Sequence, residues 1–184
     1  MIGNNGQGKT TLLKILAQKL APAQGSITYG HQVLAGYFPQ NHQDLIDKSS
    51  EETLFDYLKA KKAGVYDQEI RSVLGKMLFS GDDAFKALRA LSGGETARLI
   101  LASLILTTPN FLILDEPNNH LDLEAVSALA WGLEEYQGTL IFASHDRDLI
   151  DSVANRIFAF ENHRLQIFDG SYKEYLERQK PASA

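Results

Sequence analysis

Cysteine is absent from this sequence of 184 residues. That excludes disulfides and thiolate metal sites, and it fits a cytoplasmic setting. Long apolar runs are missing too. The longest, residues 99–106, is bounded by Arg98 and Pro109 and falls far short of the roughly 18 residues a membrane span needs. Met1-Ile2-Gly3 shows neither a charged n-region nor an apolar h-region, so no signal peptide and no membrane partner segment is expected. Positive charge is also scarce, with a formal net charge of -5. Gripping DNA or RNA by counterion release needs clustered Lys and Arg. The tightest cluster, Lys59, Lys61 and Lys62, reads as the solvated face of a helix. No internal repeat is present, and only the tail PASA is of low complexity. The remaining composition, 44% hydrophobic and 22% charged, is that of a globular domain with one buried core.

Against that plain background four short motifs stand out. Gly3, Asn4, Asn5, Gly6, Gln7, Gly8, Lys9 and Thr10 fit the phosphate-binding pattern G-x-x-x-x-G-K-[ST], and Thr11 continues it. Glycines there let backbone N–H groups converge on phosphate oxygens, helped by the start of the following helix. Lys9 is placed to reach the β- and γ-phosphates and Thr10 to ligate Mg²⁺. The alternative is a Gly/Asn-rich turn that happens to precede Lys-Thr. Such a loop hangs between a strand and a helix, and the strand before Gly3 is missing, so the chain reads as a fragment.

Hydrophobic spacing sets the frame for the other motifs. Residues 10–17 predict the helix after the loop, and 26–29 and 33–38 predict two short strands. Residues 53–62 are helical in pattern. Ile70, Val73, Leu74, Met77 and Leu78 fill one helical stripe. Residues 41–91 therefore read as a helical lobe inserted into a core formed by 1–40 and 92–184. The segment after Gly94 is apolar nearly all round, as in a buried helix. Residues 111–114 and 139–143 read as buried parallel strands. Residues 126–133 and 149–153 are helical, 156–161 and 165–169 form a hairpin around Asn162-His163, and 172–179 make a last helix. Alternating strands and helices give an α/β fold with a mostly parallel sheet covered on both faces.

Asp115 and Glu116 end the first of these buried strands, where ligands gather in open α/β sheets. Asp115 suits Mg²⁺ held through water, and Glu116 suits orienting or deprotonating an attacking water. The alternative is an acidic cap ahead of Pro117. His145 follows the second strand in the same manner, a γ-phosphate contact or a surface histidine. Gln40, just past residues 34–38, is a candidate sensor of metal or water. Ser92, Gly93, Gly94 and Glu95 place N–H groups and a hydroxyl at the start of the apolar helix, a second anion site or a simple helix cap. Two such helix starts point to a nucleotide held between two domains. In this order the motifs predict binding and Mg-dependent hydrolysis of a nucleoside triphosphate, with ATP favoured.

The set resembles the ATP-binding cassette (ABC) superfamily of P-loop, RecA-like NTPases. GNNGQGKT is similar to its Walker A, Gln40 to its Q-loop, LSGGE at 91–95 to its signature, FLILDE at 111–116 to its Walker B, Leu121-Asp122 to its D-loop and His145 to its switch histidine. DEPNNHLD at 115–122, the stretch 136–150 and the ending DGSYKEYLERQ narrow the resemblance to the ABC-F subfamily of soluble, translation-associated ATPases. The run before LSGGE is similar to the second cassette of such proteins. This implies an ATPase whose head-to-tail partner is a second cassette, with the 92–95 loop of each acting on the other's ATP. It also implies a switch on the ribosome, with tRNA touched by a linker that is not in this sequence. The rival implication is the nucleotide-binding subunit of an ABC membrane transporter. Asn118 departs from the family's usual Thr, and the aromatic residue that stacks on adenine is not found.

Overall fold

The computed structural model describes residues 1–41, 45–119, 121–161 and 164–179. Three strands, β2 (Ala35–Phe38), β3 (Phe111–Asp115) and β4 (Thr139–Ala143), form a parallel sheet in the order β2-β3-β4. Their register sets Phe38 beside Leu114 and Asp115 beside Ala143, so all three strands end at one rim. A second sheet, β1-β5-β6, joins β1 (Ile2–Gly3) in parallel to β5 (Arg156–Glu161), which pairs antiparallel with β6 (Arg164–Asp169). The Met1 amino group donates to the Phe142 carbonyl of β4, which sets β1 alongside that strand and makes the two sheets neighbours.

The strand before the phosphate loop is therefore not missing. Two residues of it are present, and the ladder with β5 holds them although too few for any sequence pattern to announce. Residues 26–29 correct the expectation the other way. They form no strand, since no ladder partner reaches them among the described residues. Tyr29 instead packs edge-on to Phe111 at 6.1 Å, and its hydroxyl donates to the Leu16 carbonyl. The next strand begins at Ala35 and not at Val33.

β3 shows why a continuous apolar run was needed. Side chains alternate across a strand, so Leu112 and Leu114 enter one core while Ile113 enters another. Ile113 packs with Leu13, Met1 and Ala143 under α1 (Lys9–Leu16). Asp115, two residues on, must share that α1 face, and the hydrogen bond from Thr10 Oγ1 to its Oδ1 at 3.2 Å agrees. The opposite, larger core gathers α2 (Leu54–Lys61), α3 (Asp67–Lys76) and α4 (Gly93–Thr107) with α5 (Leu123–Glu134) and α6 (Arg147–Val153). Helices thus cover both faces.

The helices α2 and α3 follow the spacing closely. Thr53 caps α2 by accepting the Asp56 N–H, and Ile70, Val73, Leu74 and Met77 are buried. Leu78 departs from its stripe and is exposed. Its φ of 60° ends the helix, while the Phe79 N–H returns to the Leu74 carbonyl, a left-handed termination that swings the side chain outward. Lys59 is exposed and pairs with Asp67, while Lys62 is half-buried and pairs with Glu69. α7 (Tyr172–Gln179) closes the chain's described part by burying Tyr175 against Phe168. Asn162-His163, His120 and the PASA tail lie outside the described residues.

Candidate functional site

The phosphate loop is shaped by its glycines. Gly3, at φ 136°, lies so close to β5 that a Cβ would stand 2.5 Å from the Phe160 carbonyl oxygen. Gly8 caps α1 in a left-handed conformation, φ 105°, which turns the loop over the helix start. Lys9 is buried, and its Nζ donates to the carbonyls of Gly3 at 2.6 Å and Asn4 at 3.1 Å. The ammonium is therefore centred inside the loop by the loop's own backbone. Gln7 completes the curve between Gly6 and Gly8.

A cavity of about 360 Å³ opens over this loop, lined by Asn5, Gly6, Gly8, Lys9, Thr10, Thr11, Gln40 and Glu116. Residues from the loop, the end of β2 and the end of β3 are thus brought together, as expected from strands sharing one rim. Glu116 is buried, its backbone in the left-handed region at φ 51° and its N–H donated to the Ala143 carbonyl at 2.9 Å. A left-handed non-glycine residue is strained, a cost tolerated where the surroundings hold it. Here the turn aims the carboxylate into the cavity.

Asp115 sits behind Thr10, 1% exposed. Burial pushes its carboxyl above the ordinary range, the Thr10 hydrogen bond opposes that, and the neighbouring Glu116 charge adds to it. Asp115 Oδ2 has no hydrogen-bond partner among the described residues. A buried carboxylate oxygen left unsatisfied is costly and is ready to accept from an ion's water shell. Tyr37, on β2 across from Ile113, has a buried hydroxyl that is likewise unpartnered among the described residues. Burial, then the Asp115 charge, push that phenol up to about 12.

His145 stands at the rim, 56% exposed. Its Nε2 lies 3.1 Å from Asn5 Oδ1 and 3.4 Å from Glu116 Oε1. The histidine thereby ties the loop to the end of β3. The Asn5 contact was not legible in the sequence, where Asn5 was only one loop position among several. Ser144 was missed as well. It is buried, donates to Asn118 Oδ1 at 3.0 Å and accepts the Asp146 N–H at 3.0 Å. Asn118, the departure from the usual Thr, thus links the turn after β3 to the segment after β4; that departure was the available signal.

Ser92, Gly93, Gly94 and Glu95 do not line the cavity. They open α4, where Ser92 Oγ accepts the Glu95 N–H at 3.2 Å and Glu95 accepts the Ser92 N–H at 2.7 Å, a capping box. Partial burial opposes ionisation of Glu95, but hydrogen bonds from Lys86 and from the Ser92 N–H and hydroxyl outweigh it and hold the carboxyl at about 2.

No helix among the described residues is long and apolar enough to cross a membrane. The family described as "ABC transporter" matches residues 1–119. The putative ATP-binding protein YdiF of Bacillus subtilis is 46% identical over 178 residues, covering 97% of this chain and 27% of that protein. ABC transporter F family member 3 of Arabidopsis thaliana is 37% identical over 175 residues, covering 95% of this chain and 24% of that protein. The chain therefore spans about a quarter of the length of these relatives. Among solved structures, archaeal aABCE1, described as a ribosome recycling factor in complex with the ribosomal stalk protein aP1, superposes with a TM-score of 0.74 at 28% identity, over 96% of this chain and 35% of that one. With a phosphate loop centred on Lys9, an acidic pair closing β3 and relatives of this kind, the chain belongs to the ATP-binding cassette family, in its F branch.

Proposed function

We propose that this chain is one catalytic cassette of an ABC-F-type ATPase, hydrolysing ATP by in-line attack of water and acting with a second cassette. The observation that carries this reading is the split between two anion-binding helix starts. The Lys9 loop and Glu116 share one cavity, which the Ser92–Gly94 loop does not line. A nucleotide held on the first needs another chain or domain to bring the second.

In this reading Gly3, Asn4, Asn5, Gly6, Gln7, Gly8, Lys9, Thr10 and Thr11 bind the phosphates. The Lys9 ammonium leaves its loop carbonyls for the β- and γ-phosphate oxygens. Glu116, buried and aimed into the cavity, accepts a proton from water as it attacks the γ-phosphorus. His145, bridging Asn5 and Glu116, steadies the γ-phosphate. Thr10, Asp115 and Gln40 present a hard oxygen donor set, and the unpartnered Asp115 Oδ2 fits Mg²⁺, an ion that keeps several waters and few protein ligands. When bound, that ion neutralises charge between the β- and γ-phosphates. Residues 41–91 act as a helical subdomain set into 1–40 and 92–184, carrying the Ser92 loop to the partner. ATP closes the cassettes and hydrolysis releases them, as a cytoplasmic switch in translation at the ribosome. Support for that last step comes from the ribosome recycling factor among the structural relatives.

The test uses the full-length protein. Glu116→Gln should keep ATP binding and lower turnover by roughly 10²–10⁴, the scale of a lost general base. The trapped protein should co-sediment with ribosomes only when ATP is present. Unchanged turnover would remove Glu116 from its role. Co-purification with a membrane subunit would favour the transporter reading.

A further inference from the structure

Two lysines outside the cavity grip the loop that opens α4. Lys48 Nζ donates to the Leu91 carbonyl at 2.5 Å and to Thr96 Oγ1 at 2.8 Å. Thr96 is fully buried and passes its own hydroxyl hydrogen to the Ser92 carbonyl at 2.8 Å. Lys86 Nζ donates to Glu95 Oε1 at 2.6 Å, while Glu95 Oε2 accepts the Ser92 N–H. The Leu91 carbonyl, the Ser92 N–H and the Ser92 carbonyl are all fixed. The N–H groups of Gly93 and Gly94, first in the helix, have no acceptor within it.

A capping box alone would secure the helix start, because Ser92 and Glu95 satisfy each other without help. A lysine drawn from 43 residues upstream onto the Leu91 carbonyl is more than capping requires. Burial holds the Lys48 ammonium below its ordinary range, so the contact is kept against a desolvation cost.

We propose that Lys48 and Lys86 are positioning residues for the Ser92–Gly94 loop, presenting its free N–H groups as a rigid receptor for the terminal phosphate of a nucleotide held by a second cassette. This rests on the reading above, in which the loop acts on a partner's ATP.

The experiment compares Lys48→Met, Lys48→Arg, Lys86→Met, Thr96→Val and Ser92→Ala in the full-length protein. It measures kcat, equilibrium binding of a fluorescent ATP analogue, ATP-driven approach of the cassettes by cross-linking, and thermal unfolding. Lys48→Met and Lys86→Met should each lower kcat and cross-linking roughly tenfold, the scale of one charge-assisted hydrogen bond. Analogue affinity should stay unchanged, and Lys48→Arg should recover much of the loss. Should Lys48→Met fold poorly, Thr96→Val removes an acceptor while keeping the lysine and should give the same split. Unchanged kcat in Lys48→Met alongside a damaged Ser92→Ala overturns the positioning role alone. Parallel losses of affinity, kcat and thermal stability also overturn it, as general loosening. A Ser92→Ala protein with normal kcat and cross-linking overturns both this proposal and the reading beneath it.

Discussion

Gly3 and Gly6 are both glycines of the phosphate loop with positive φ, yet alanine should cost very different amounts at the two. Gly6, at φ 80°, has no atom within 4 Å of a built Cβ, so Gly6→Ala incurs only the backbone term. That term is about 1–2 kcal/mol for one left-handed L-residue. Gly3, at φ 136°, incurs strain of about 1–3 kcal/mol. Its Cβ would also meet the Phe160 carbonyl oxygen at 2.5 Å and Phe160 Cβ at 2.9 Å. Neither neighbour is the far end of a flexible chain, so β1 must lift from β5, an overpacking cost of about 1–3 kcal/mol. Gly3→Ala should therefore be about 2 kcal/mol less stable than Gly6→Ala. With a urea slope of about 2 kcal/mol/M, the midpoints differ by about 1 M at unchanged slope. Urea unfolding followed by circular dichroism reads this directly. Coincident midpoints would refute the close approach of β1 to β5, and with it the claim that this short ladder anchors the loop.

Three further outcomes concern polar groups that are buried or partly buried. Tyr37→Phe removes a buried hydroxyl without a partner among the described residues, so stability should hold or rise by up to about 1 kcal/mol; a loss of more than that would contradict the orphaned hydroxyl. Glu95, depressed from 4.5 to about 2, lends stability that is whole above pH 4.5 and fades as pH falls towards 2, so the gap in unfolding midpoint between wild type and Glu95→Gln should narrow over that window, and a constant gap would count against the Lys86–Glu95 pairing. Asp115, raised by burial, is a charge the fold bears at neutral pH, so Asp115→Asn should leave the nucleotide-free melting temperature equal or higher. The same variant should lose the extra stabilisation that Mg²⁺ adds to ATP; an undiminished Mg²⁺ shift in scanning fluorimetry would exclude Asp115 as its carboxylate.

Much of the molecule is legible in local spacing. The β3 run Phe111–Asp115 had to be a strand covered on both faces, because consecutive apolar residues satisfy both sides of a pleat at once. Ser92 as a cap ahead of an apolar run announced the start of α4, and Thr139–Ala143 and Tyr172–Gln179 match their expected bounds. Those features depend on neighbours within one or two turns, which the chain order supplies. Residues 26–29 had strand-like composition but no strand, because a strand is defined by its partner. Leu78 left its stripe because the helix ended two residues before it.

The family's motifs were thus legible in the sequence, since a phosphate-loop pattern and an acidic pair at a strand end are local patterns. Their assembly was not. Tertiary structure alone decided that two residues of β1 suffice to lodge the loop beside β5, and that His145 meets Asn5 across 140 positions. It also decided that the Ser92 loop does not line its own chain's cavity and that Lys48 bonds the Leu91 carbonyl ahead of it. Contacts of that kind depend on which sheet face each element packs against, and spacing along the chain carries no record of it.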